Sequence, residues 1–322
     1  MKQLVGFLLA ASALLAAGGE AAQSSYPDKP IRILVGFPPG QASDVLARLV
    51  AQRLTEAWGQ QVVVDNRPGA GGSIAPEIAA RATADGHTVL LTSSAAFSIN
   101  PHLYRKPTFD PLKDFTPVTN LVRLPYVLYV SPTFQARNLN EWLALMRAKG
   151  PDFNYGSSGA GSTSHLVTEK LLTMAGVKVS HIPYKGSVPV LTDVLAGQIH
   201  WAIETTLFAL PHLHSGKIRG IAVTSAARTS LLPDLPAAAE AVPGYDGIAW
   251  IGIVAPAATP RAIVDKLNAE IVRYMQSRET VDKMAVLGTE VFTTTPAQFD
   301  TFLRNEFVKW GKVVAATGVR LD

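Results

Sequence analysis

Five short segments of this chain collect the residue types that hold an anion without a cationic side chain. Each follows a short apolar, β-rich run and precedes a stretch with helical spacing. The first is Phe37, Pro38, Pro39, Gly40, Gln41, Ala42, Ser43 and Asp44. A helix that starts there presents unpaired backbone N–H groups and the positive end of its dipole, which suit a carboxylate or phosphate. The same residues also make an ordinary strand-to-helix turn with Ser43 as N-cap, and both roles can hold at once. The second segment, Asn66 to Ser73, places Gly69, Gly71 and Gly72 within four positions. That density lets backbone approach a ligand closely, so Gly71 and Ser73 are candidates.

The third segment, Gly156 to His165, carries the strongest signal. Gly156 and Gly161 have the spacing of a nucleotide-phosphate loop, but Ser162 stands where that loop needs its lysine, and the nucleotide reading fails. A loop of hydroxyls and N–H groups at a helix start remains. Ser158, Gly161, Ser162, Thr163, Ser164 and His165 are its candidate contacts, suited to a carboxylate. The fourth segment is Pro183 to Ser187, with Tyr184, Lys185 and Gly186; the fifth is Glu204, Thr205 and Thr206, closing the run Ile199–Ile203. Ser93, just past the run Thr88–Thr92, completes the set.

Catalytic patterns are weaker. No serine sits in a G-x-S-x-G elbow, and no Ser–His–Asp context is recognisable. His212 and His214 form a lone H-x-H without a third ligand in view. Paired acids for glycoside hydrolysis cannot be assigned from spacing. The reading is a binding protein with no catalytic residues, no metal and no cofactor. An enzyme on the same fold, or a ligand-sensing subunit that docks on a receptor kinase, are the alternatives.

The elements that must position these loops alternate between β and α. Ile31–Phe37, Gln61–Asp65 and Thr88–Thr92 read as strands, separated by helices over Ser43–Trp58 and around Ile78–Ala82. The alternation predicts an α/β fold with mostly parallel sheets flanked by helices. Phe109–Pro125, with three prolines, reads as an irregular crossing to a second lobe. There Tyr126–Val130, Phe153–Tyr155, Val179–Ile182, Ile199–Glu204 and Ile218–Thr224 read as strands, with helices over Leu139–Ala148, from Thr163, and over Val188–Leu195. Leu232–Asp246, again rich in Pro and Gly, reads as the return crossing to the strand Trp250–Val254. Helix starts follow at Thr259–Pro260 and at Thr295–Pro296–Ala297–Gln298, the latter a capping box. Phe299, Leu303, Phe307, Trp310 and Val314 form a packing stripe on the last helix. Two lobes are expected: residues 26–124 with 248–322, and residues 125–247. Joined by two crossings, they form a clam-shell of the kind that closes about a hinge.

Composition bounds the setting. Lys2, an apolar run Leu4–Leu15 and a small-residue stretch Ala16–Ala22 have the order of a secretory signal peptide, expected over residues 1–22 with cleavage between Gly19 and Gln23. No cysteine is present, which excludes both disulfides and a lipid-anchored terminus. The formal net charge of +4 comes from scattered basic residues without interleaved aromatics, so nucleic acid is not an expected partner. A soluble, monomeric, exported protein is expected.

Taken together, the loops resemble a known family, the substrate-binding proteins of tripartite tricarboxylate transporters, also called the Bug family. The matching pieces are Tyr26–Ile31, Phe37–Gly40 with Asp44 and Ala47–Arg48, Asn66–Gly72, Tyr155–Thr163, Pro183–Gly186, Ala222–Ser225, Val242–Tyr245, Val254–Pro256, Lys309–Trp310 and Thr317–Gly318. The resemblance runs from Tyr26 to the C-terminus. It implies the two-lobed periplasmic-binding-protein fold, a small organic carboxylate in the cleft, membrane transporter subunits as partners, and contacts through the Phe37–Asp44, Gly156–His165 and Pro183–Ser187 loops. Gln41 departs from the family's usual Gly. His200, Trp201 and Glu204 depart too, since the family tends to carry Asp near the first and last of these.

Overall fold

The computed structural model describes residues 26–318 and residue 320. The expected signal segment lies outside the described residues.

The chain opens as read: β1 (Ile31–Val35), α1 (Ala42–Trp58), β2 (Val62–Asn66), α2 (Ile74–Ala80) and β3 (Thr88–Ser93). In α1, Leu46, Val50 and Leu54 form the buried stripe, and Gly59 ends the helix in the left-handed region at φ 70°. A π-helical turn, Ala95–Ile99, then leads into α3 (Asn100–Leu103). The sequence carries no signal for that turn.

The stretch expected to be irregular is not. Most of it is β4 (Phe115–Leu124), a ten-residue strand. Its prolines are accommodated locally. Pro117 stands opposite Val254 beside a register irregularity, where a missing N–H is tolerated. The crossing itself is a single residue, Pro125, before β5 (Tyr126–Val130).

The second lobe's elements are α4 (Leu139–Lys149), β6 (Asn154–Ser157), α5 (Thr163–Ala175), β7 (Ser180–Pro183), α6 (Ser187–Leu195), β8 (Trp201–Thr205), α7 (Thr206–His214) and β9 (Arg219–Val223). Helix α7 was not expected; Pro211 inside it hides its pattern. The chain returns through β10 (Ala249–Pro256), α8 (Arg261–Met275), α9 (Arg278–Val286), β11 (Glu290–Val291) and α10 (Pro296–Thr317). The α8 cap is shifted by one residue. Pro260 is the N-cap, and Thr259 uses its hydroxyl on the Pro256 carbonyl at 2.7 Å. The capping box expected at Thr295 and Gln298 is present. Trp310 of α10 is buried, with its indole N–H donating to Glu306 at 3.0 Å.

Two sheets result, ordered β11-β4-β10-β3-β1-β2 and β7-β6-β8-β5-β9. They are mixed, not mostly parallel. The uninterrupted strand–helix alternation gives parallel neighbours (β2-β1-β3 and β7-β6-β8), while β10, β4 and β11 in one sheet and β5 and β9 in the other join antiparallel. Thr224 fastens the crossing strands together. Its hydroxyl accepts from the Tyr126 N–H at 2.9 Å and donates to the Gly247 carbonyl at 2.6 Å, fully buried. Thr206 adds to the hold on the first crossing, donating to the Pro125 carbonyl through N–H and hydroxyl, each at 3.0 Å. Among the described residues no helix is long and apolar enough to cross a membrane.

Candidate functional site

A cavity of about 340 Å³ lies between the two sheets. The first sheet contributes Phe37, Gln41, Ala42 and Ser43 from the β1–α1 loop, Ser93, Ser94 and Ala95 after β3, Leu124 at the end of β4, and Ala249, Trp250 and Ile251 of β10. The second contributes Tyr126 of β5, Ser158, Thr163 and Ser164 of the β6–α5 connection, Ser187 of α6, and Glu204 and Thr205 of β8. Helix starts converge here. Gln41 caps α1 without a side-chain bond, and Gly186 caps α6 with none to offer, so N–H groups in both first turns remain open. Among the described residues no Lys, Arg or His lines the cavity.

Of the residues picked out from sequence, Phe37, Ser43, Ser93, Ser158, Thr163, Ser164, Glu204 and Thr205 stand on this wall. The others do not line it. Pro38, Pro39 and Gly40 are exposed. Asp44 is buried and bonded locally: it accepts from the Gly40 N–H at 2.9 Å, Arg48 Nε at 2.9 Å and Asn66 Nδ2 at 3.0 Å. The glycine-rich loop is clamped by Asn100, whose Nδ2 donates to the Gly71 carbonyl at 2.8 Å and to the Ser73 hydroxyl at 3.2 Å. Its glycines serve packing. A Cβ on Gly72 would come within 2.9 Å of the Phe37 ring, so that loop seats Phe37 at the cavity without lining it.

The Gly156–His165 loop divides its hydroxyls between two tasks. Ser162 caps α5 by accepting from the His165 N–H at 3.2 Å. Ser164 meets the hydroxyls of Ser158 at 2.9 Å and Ser162 at 3.1 Å, which ties the loop to the helix start. Gly161 donates its N–H to His165 Nδ1 at 3.0 Å. His165 in turn stacks on His181, with ring centroids 3.9 Å apart and planes 9° apart. Burial pushes both imidazoles down to about 4, with mutual proximity adding to the effect on His165. They are a neutral, packed support behind the loop. Tyr184 donates to Asp193 at 2.6 Å, Lys185 is exposed, and the Gly186 N–H closes on the Ser158 carbonyl at 3.2 Å.

Among the described residues Glu204 is the one carboxyl on the wall. It is 3 % exposed, and its Oε1 has no hydrogen-bond partner. Burial pushes it up to about 7; the Ser187 and Ser164 hydroxyls and the Thr205 N–H pull partly the other way. Tyr126 is held above the ordinary phenol range by burial and by Glu204, with the Thr163 hydroxyl opposing.

Gln41, Ala42 and Ser187 belong to loops flagged from sequence but were not singled out. Tyr126 and Ala249–Ile251 were missed for a topological reason. The search for sites after strands finds the carboxyl ends of parallel strands. In these mixed sheets β5 and β10 run the other way, so their first residues share that edge.

Two lobes around a cavity with hydroxyls and helix starts on its wall, and no cationic side chain there among the described residues, define a solute-binding receptor. The pattern of the tripartite tricarboxylate transporter family receptor matches residues 46–319, and the chain belongs to that family. Protein BugT of Bordetella pertussis is 34 % identical over 320 residues, covering 99 % of this chain and 97 % of BugT. The solved structure of Rpa4515 of R. palustris with adipate is 36 % identical at a TM-score of 0.78, covering 91 % of this chain and 98 % of that one. MatC of Rhodopseudomonas palustris with bound malate is 29 % identical at a TM-score of 0.74, covering 90 % and 100 %.

Proposed function

We propose that this protein captures a small organic carboxylate between its lobes, outside the cytoplasmic membrane, and delivers it to the membrane subunits of a tripartite transporter. The observation that carries the reading is the cavity wall: hydroxyls and open helix-start N–H groups from both sheets, with no cationic side chain. Such donors complement a carboxylate through hydrogen bonds and dipoles. Adipate in one relative and malate in another support the same chemistry. The lobes are residues 26–124 with 248–322, and residues 125–247. The exported setting rests on the signal-like residues 1–22.

A thermal-shift panel of mono-, di- and tricarboxylates tests this. Ligand at a hundredfold its dissociation constant adds about 2.7 kcal/mol of stability. A panel in which sugars or amines shift the transition and no acid does would refute the carboxylate assignment. With a binding acid in hand, small-angle scattering is expected to show a smaller radius of gyration, because contacts to both lobes exist only in the closed form.

A further inference from the structure

We propose that Glu204 meets the captured acid as a neutral carboxylic acid and donates a hydrogen bond to it, so that each ligand enters the cleft together with one proton. This rests on the carboxylate reading above and adds to it a proton coupling and a residue that sets ligand choice.

The geometry leads there by elimination. Glu204 closes β8 on the cavity wall, is almost fully buried, and leaves Oε1 unpartnered. An ionised carboxylate only accepts hydrogen bonds, so an ionised Glu204 would offer nothing to a second carboxylate. The two negative groups would also face each other in a cavity that no Lys, Arg or His among the described residues lines. Two carboxyl groups sharing such a site cannot both stay ionised, and one takes a proton. Free in solution, the ligand acid titrates well below neutrality. Glu204 is already halfway there, since burial, only partly offset by the Ser187, Thr205 and Ser164 donors, pushes it up to about 7 before any ligand arrives.

The groups that face Glu204 do not supply another proton acceptor. On β5 they are Tyr126 and Tyr129, both held above the ordinary phenol range by burial and by Glu204 itself. From α5 and α6 they are the hydroxyls of Ser164 and Ser187, and from its own strand the Thr205 N–H. The proton balance is simple. Solvent supplies one proton to Glu204 when ligand enters; the resulting Oε–H points at a ligand oxygen, and the proton returns to solvent on release. An acid with a carboxylate at this end of the cavity is selected, and one with an ammonium group there is not.

The experiment is calorimetry of the signal-free protein with adipate and with malate, across about pH 6 to about pH 9, in buffers of different ionisation enthalpy. Near pH 8, uptake of close to one proton per ligand is expected. Affinity is expected to weaken by about a hundredfold across the range, because free Glu204 loses its proton and the complex does not. Glu204→Gln, which keeps a donor but cannot titrate, is expected to flatten the profile and abolish the uptake. Binding without proton uptake, or a Gln variant that keeps the full slope, overturns the inference and leaves the carboxylate reading standing. Affinity that strengthens with pH overturns it as well, since an ionised Glu204 would then be accepting from a ligand donor. If neither these probes nor any acid in the wider panel binds at any pH, both readings fall.

Discussion

Asp44 and Glu204 are buried alike, at 2 % and 3 % exposure, on opposite sides of the cleft. Burial raises both carboxyl pKa values, yet they end far apart. At Asp44 the burial is outweighed by hydrogen bonds from Arg48, the Gly40 N–H and Asn66, and its carboxyl is held below the usual range. At Glu204 the donors do not keep up, and the carboxyl rises to about 7. Solvent exposure is therefore not what separates them: Glu204 has far more protein packed around it, and its donors are neutral where Asp44 has the Arg48 guanidinium. Asp44 spends its charge on shape, tying the Phe37–Asp44 loop to α1 and to the end of β2. Glu204 stands on the cavity wall with Oε1 unpartnered.

The largest effect should come from breaking the satisfied member. Asp44→Ala leaves the Gly40 N–H and the Asn66 amide without their acceptor. It is expected to cost about 2–4 kcal/mol in denaturant unfolding, below the full cost of a buried pair because Arg48 is 55 % exposed. Asp44 has a depressed folded-state pKa. Its contribution is present above the unfolded value near 4 and is lost as pH falls through the folded one. A loss no greater than that of a surface substitution would mean the bonds do not brace the loop.

The opposite sign is expected at the unsatisfied member. The folded state holds the Glu204 proton up to about 7, whereas the unfolded chain gives it up near the ordinary carboxyl value of 4.5. Ligand-free stability therefore falls as pH rises through that window, and the deficit persists above it. Glu204→Gln removes the deficit and is expected to gain about 1–3 kcal/mol above neutrality, with no gain below pH about 4. Melting curves of both proteins against pH would decide; a difference between them that ignores pH would break the contrast with Asp44.

The smallest effects repeat the contrast within one turn of α5. Ser162 spends its hydroxyl as N-cap, whereas Thr163 stands on the cavity wall with its hydroxyl beside that of Tyr126. Ser162→Ala is expected to lower stability by about 1 kcal/mol with little change in affinity. Thr163→Val is expected to weaken ligand binding about tenfold with little change in stability. If the two variants exchanged these phenotypes, the assignment of the two hydroxyls would be reversed.

Much of this molecule was legible in its residues. The helical stripe of α1, the capping box at Thr295 and Gln298, and the hydroxyl-rich start of α5 are local patterns, and they became the expected elements. The site was legible as a set of loops, less so as individual side chains. Asp44, Gly71, Ser162 and His165 all looked like ligand contacts, because a donor or acceptor near a helix start has the same spelling whichever way it turns. Pro117 and its neighbours looked irregular, because a strand read alone does not reveal that its partner across the sheet absorbs the missing N–H with a shift of register.

What the sequence determined by itself was therefore the order of most strands and helices, the position of the loops that could hold an anion, and the family to which those loops point. These depend on interactions between residues a few positions apart, which any window of the chain contains. Only the tertiary structure decided which hydroxyls face the cavity, that Tyr126 and Ala249–Ile251 join them from antiparallel strands, and that Asp44 is satisfied while Glu204 is not. Each depends on groups far apart in the chain, such as Asn66 beside Asp44 and Tyr126 opposite Thr205. A carboxyl's charge follows from its solvation and its donors, and in a folded chain both are supplied by whatever the topology places next to it.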